Sequence, residues 1–173
     1  WGEWKKEAAK RGLVNLATTV DAIPAYVNDK NIKLFEKHGV MTAAEMRSRY
    51  EIMVERYIKI VDIEARTMLH MANREIIPAC IAFQKDVLKE LSLKKQLADV
   101  CPELNTKAES SLAVKLSAAT SKASAAVDKL TGDLDKASAI GDNYECAVFH
   151  KEEILTDMKL LRAQCDSLEE ITD

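Results

Sequence analysis

Glycine and proline are scarce in this chain, five and three in 173 residues. Few positions let the backbone turn, so long continuous elements are expected. No apolar run approaches the roughly 20 residues that a membrane-spanning helix needs. No basic stretch followed by an apolar one opens the chain, so nothing points to secretion. Cys80, Cys101, Cys146 and Cys165 are far apart, and no CxxC pair brings two ligands together as a metal knuckle requires. They read as reduced thiols, some buried as small hydrophobes. Neither sign of charge dominates: the net charge is -3 with both signs interspersed, which leaves no broad positive field for a phosphate backbone. Nucleic acid and membrane are both set aside as partners.

The motifs of common chemistries are missing too. Neither HExxH nor a related spacing occurs, and His38, His70 and His150 stand alone. They read as surface or interface histidines. Asp62, Glu64 and Glu75 supply carboxylates without the Glu-x-x-His partner of a di-metal bundle, and His150 with Glu153 has no matching second motif. The five scattered glycines form no phosphate loop, dinucleotide fingerprint or nucleophile elbow. The residues themselves therefore offer no catalytic, cofactor-binding or metal-binding set.

What is present is helix-forming. Apolar residues make up 47% and charged residues 31%, with Ala, Leu, Glu and Lys abundant, a composition that favours helices around one real core. Residues 1–41 read as a lead-in of short helices: one over Glu3 to Gly12, stopped by Gly12, and one over Lys30 to His38, stopped by Gly39. Between them the pattern is weak, and Pro24 interrupts the cluster of Ile23, Tyr26 and Val27. Thr42 and Glu45 then have the spacing of a capping box. A long helix follows over 42–98, with a kink at Pro78 where the ring removes a hydrogen bond and presses on the preceding turn. Unbroken, it would reach roughly 80 Å.

Residues 106–171 read as a C-terminal antiparallel αα-hairpin. Thr106 and Glu109 repeat the capping spacing, and Leu112, Leu116, Ala119, Ala123, Ala126, Leu130, Leu134 and Ala137 share one side of the first helix. Gly132 inside it costs up to about 1 kcal/mol and invites a local bend. Gly141 breaks the chain, and Ile154, Met158, Leu161, Cys165, Leu168 and Ile171 form the seam of the last helix. The expected architecture is an all-α, elongated helical bundle in which the second half of the long helix completes a three-helix bundle with the hairpin. Its first half carries Met46, Tyr50, Met53, Tyr57 and Ile60 at alternating steps of four and three. These five are the candidate packing or interface residues, because the sequence offers no obvious internal mate for the whole stripe.

Several strings resemble the C-terminal region of type III glutamine synthetases: Lys30 to Val40 (KNIKLFEKHGV), Ser48 to Met53 (SRYEIM), Ile63 to Met68 (IEARTM) and Glu75 to Ala79 (EIIPA). Trp4 to Ala8 and Arg11 to Leu13 are similar to the segment leading in, and Leu160, Leu161, Arg162, Ala163 and Leu168 to the close. The resemblance implies a single helical segment, 1–173, of a larger cytoplasmic ligase built from two hexameric rings. That parent joins ammonium to glutamate using ATP and divalent metal, Mg or Mn, at positions upstream of this region. The lack of an initiator methionine before Trp1 agrees with a boundary inside a longer polypeptide. The expected partners are the remainder of the parent enzyme and homo-oligomer subunits, and no catalytic residue is carried over. The competing reading is an autonomous helical adaptor or peptide-binding module.

Overall fold

A computed structural model describes residues 1–172, and among these every regular element is helical. In order they are α1 (Gly2–Lys10), α2 (Thr19–Tyr26), α3 (Asp29–Lys37), α4 (Ala43–Met71), α5 (Ile77–Gln96), α6 (Lys107–Ser138), α7 (Asn143–Phe149) and α8 (Leu155–Thr172). A π turn at Ala72–Ile76 joins α4 to α5, and another at His150–Ile154 joins α7 to α8. The chain divides into two compact units, Trp1–Ile60 with Ile140–Val148, and Val61–Ala139 with the residues from Phe149 onward.

In the first unit the short helices are held by local caps. Gly12 and Gly39 end α1 and α3 with φ of 75° and 63°, a left-handed conformation that suits glycine. At α3 the Asn31 N–H donates to Asn28 Oδ1 at 2.8 Å. The expected capping box is present at α4: Thr42 N–H donates to Glu45 Oε2 at 2.8 Å, and Glu45 N–H to Thr42 Oγ1 at 3.3 Å. The Thr42 N–H and, at 2.9 Å, the Thr42 hydroxyl, both donating to Oε2, hold the Glu45 carboxyl below its usual range. One expectation is corrected. Pro24 does not interrupt its cluster but lies inside α2, which Thr18 caps by accepting from the Asp21 N–H at 3.2 Å. A helix of eight residues has few internal bonds for a proline to remove. Burying Val20 and Ile23 offsets that loss.

The second unit is the expected three-helix bundle. Cys80 of α5, Ala123 of α6 and Leu168 of α8 meet in one buried cluster, with Ile76, Ile77 and Ala119 against it. Val87, Ala113 and Leu116 form a second, closed by Phe83, Leu112 and Ile171. The alanines of α6 let its neighbours approach closely. Leu116, Leu130, Ile154, Leu161 and Leu168 are fully buried, each stabilising the unit by about 1.5–3 kcal/mol.

The predicted kink takes a particular form. Buried positions advance by seven residues from Ala65 to Ala72, by eight from Ala72 to Cys80, and by seven again from Cys80 to Val87. The eight-residue step spans the π turn, whose i→i+5 bonding absorbs the extra residue just before Pro78 and keeps the apolar seam in line. α6 runs through Gly132 without interruption. One other local expectation changes. At Thr106 no side-chain cap forms. Glu109 instead accepts a hydrogen bond from Lys94 of α5, and Asn105 Oδ1 takes the Lys107 N–H at 2.8 Å.

Candidate functional site

The five stripe residues lie in the first unit, where α2 and α7 supply a mate that the sequence did not advertise. Met46 is fully buried. Tyr50, Met53 and Tyr57 are half-buried against the cluster of Val20, Ile23, Val54 and Ala147, with Tyr144 and Val148 beside them. Burial and the neighbouring Glu51 push the Tyr50 hydroxyl pKa up. Ile60 is the one of the five that stays exposed, at 45%. Ile52, on the same helix, is exposed as well.

Among the described residues no three of His, Cys, Asp and Glu come together in a group able to hold a metal ion. His38 and His70 are on the surface, whereas His150 is buried on the second π turn. That corrects the surface or interface reading for His150: the extra residue of the turn carries it inward beside Ile154. Asp62 is paired with Arg66 at 2.8 Å, and Glu64 and Glu75 are exposed. Cys80, Cys146 and Cys165 are buried and Cys101 is exposed. Burial pushes the Cys80 and Cys165 thiols up, away from the reactive thiolate.

A buried charge cluster joins α6 to α8. Lys129 Nζ donates to Asp157 Oδ1 and, at 3.0 Å, to Asp133 Oδ2, while Lys136 Nζ donates to Asp133 Oδ1 at 2.6 Å. Both aspartates are buried, and the lysines reach them from the solvent side. Lys136 and then Lys129 hold the Asp133 carboxyl far below its usual range. Burial first, and Asp133 next to it, raise Asp157 against the pull of Lys129. Split carboxyl pairs also serve acid–base chemistry. Here both carboxyls are engaged by ammonium groups, and the arrangement acts as a clamp between helices.

Two grooves open on the second unit. One, of about 510 Å³, runs between α5 and α6 past Gln84, Ser117, Thr120, Ser121 and Ser124. The other, of about 540 Å³, is apolar and rich in methionine, lined by Met68, Met71, Ile76, Leu155, Met158 and Cys165. The sequence marks most of these as helix-seam positions. It does not reveal the groove, which depends on the end of α4 lying along α8.

Residues 2–95 match the family described as Glutamine synthetase C-terminal domain. The chain is 37% identical over 168 residues to a glutamine synthetase of Butyrivibrio fibrisolvens, covering 96% of this chain and 23% of that protein. It is 37% identical over 91 residues to a type-3 glutamine synthetase of Dictyostelium discoideum, covering 53% of this chain and 12% of the relative. A glutamine synthetase of Bacteroides fragilis (strain YCH46) is 30% identical over 95 residues, covering 55% and 13%. The chain thus spans less than a quarter of the length of each of these relatives.

Proposed function

Because this chain belongs to the glutamine synthetase C-terminal domain family, we propose that it is a non-catalytic helical region of a type III glutamine synthetase. Its role is to hold together domains or subunits of an enzyme that ligates ammonium to glutamate at the expense of ATP. The observation that supports this most is the near full-length similarity to a protein more than four times as long. A helical fold whose conspicuous buried polar cluster is a clamp between helices agrees with that role. The ATP and divalent metal of the parent belong elsewhere in the polypeptide on this reading.

The exposed and buried members of the α4 stripe separate assembly from folding. Met53→Glu places a charge against Val20 and Ile23 and is expected to destabilise the first unit by about 2–5 kcal/mol. Ile60→Glu alters an exposed position. In the full-length enzyme it should leave thermal unfolding unchanged while lowering the oligomeric mass in sedimentation, or lowering activity. Wild-type mass and wild-type glutamine synthesis for Ile60→Glu would remove the assembly role of this face.

A further inference from the structure

We propose that the methionine groove of the second unit is the seat of an apolar helix from the same polypeptide, contributed by a segment outside residues 1–173. The proposal rests on the reading of this chain as one region of a longer synthetase. The floor is apolar: Leu161 is fully buried and Cys165 nearly so, and Met71 stands at the edge with 45% of its surface open. Three unbranched thioether side chains, Met68, Met71 and Met158, can mould themselves to an incoming apolar face. The π turn shapes the wall, since its wider winding carries Ile76 round to the side of Met68 and Met71. Such turns recur at functional positions.

Two observations choose the occupant. The nearly full-length match to this chain accounts for only 23% of its relative, so most of a protein of that kind is available to fill the groove. The rim is also polar in a directional sense: Lys159 lies toward the start of α8 and Glu169 toward its end, with Arg162 and Asp166 paired to each other at 3.6 Å between them. A helix lying antiparallel to α8 places its negative C-terminal end by Lys159, and its positive N-terminal end by the Glu169 carboxylate. That is helix-in-groove recognition with an orientation built in.

The test uses the full-length protein with methionine replaced throughout by its diazirine analogue, which keeps the size and shape of the side chain. After irradiation, crosslinked peptides are mapped by mass spectrometry in a mixture of isotopically light and heavy chains. The expected product joins Met71 or Met158 to a peptide outside residues 1–173 of the same chain, with no mixed light–heavy species. Peroxide should oxidise Met68, Met71 and Met158 in the native protein as slowly as the fully buried Met46. Mixed-isotope crosslinks would assign the groove to a second copy, and crosslinks to another protein would assign it to an adaptor surface. Either result overturns the proposal, as does the absence of crosslinks together with rapid oxidation of Met71. ATP-dependent glutamine synthesis by the same preparation separates the two levels. An active enzyme with an empty groove refutes only the seat, whereas an inactive preparation that has no residues beyond these 173 refutes the parentage as well.

Discussion

A methyl group added at Gly132 meets nothing within 4 Å, whereas one at Gly39 must be carried on a backbone with φ of 63°. The two positions therefore respond oppositely to the same substitution. Gly132→Ala should stabilise the protein by about 0.5–1 kcal/mol in urea unfolding, because α6 is continuous there and loses only backbone freedom in the unfolded chain. Gly39→Ala should destabilise it by about 1 kcal/mol through left-handed strain. At the clamp, Lys129→Met leaves Asp133 and Asp157 buried with less counter-charge, for an expected loss of about 1–3 kcal/mol. Adding Asp157→Asn should restore part of it.

The sign of the pH response follows from the two shifts. Asp133, depressed, contributes stability above the ordinary carboxyl range that drains as pH falls through its folded value. Asp157, raised, opposes folding at neutral pH and ceases to do so as pH falls through its folded value toward the ordinary one. Urea midpoints taken from about pH 7 to about pH 4 should change more favourably on acidification in wild type than in Asp157→Asn, where the raised carboxyl is gone and only depressed ones such as Asp133 and Glu45 respond. The clamp was not read from the sequence, because a polar residue inside an apolar seam looks like a gap in the seam. The signal that could have found it is the Lys129, Asp133 spacing of four, with Asp133 next to Leu134 on the buried side.

At the scale of elements, the boundaries that were legible are those with a covalent or capping cause. Thr42 with Glu45 and the left-handed glycines each fix a helix end by local bonds. α2 was missed because Pro24 outweighed a weaker cue, the Thr18–Asp21 pair three residues apart. The box at Thr106 failed for the converse reason: a distant lysine took the glutamate. The π turns are harder to see, since an extra residue shows only when the buried positions are counted across the break. That counting predicts an asymmetry. Deleting the exposed Asn73 turns the eight-residue step into seven and should be tolerated, whereas inserting an alanine after Gln84 rotates Val87 out of its cluster. The insertion should lower the melting temperature far more than the deletion.

The whole molecule poses a different question, because the family match stops at residue 95 while the cores do not. Phe83 and Val87 of α5 are covered by Leu112, Ala113, Leu116 and Ile171, all beyond that point. Val20 and Val54 are covered by Ala147. A chain ending at Gln96 should therefore fail to fold cooperatively, with α5 losing protection in hydrogen exchange; a sharp two-state unfolding of residues 1–96 would contradict this. The all-α class, the kinked long helix and the C-terminal hairpin were legible because they depend on periodicity along the chain. The partnership of α4 with α2 and α7 was not, because it brings Val54 together with Val20 and Ile23, about thirty positions away, and with Ala147, about ninety away.

The placement of the aromatic rings has a practical result. Both tryptophans are exposed, Trp1 just before α1 and Trp4 within it, and Tyr26, Tyr50, Tyr57 and Tyr144 all belong to the first unit. The three-helix bundle contains no tyrosine or tryptophan among its described residues. Near-ultraviolet circular dichroism in the tyrosine and tryptophan bands and tyrosine emission thus report on the first unit, apart from the phenylalanine bands to which Phe83 and Phe149 of the second contribute, while far-ultraviolet signal sums over both. Melting curves recorded at the two wavelengths on a single sample separate the two halves without any label.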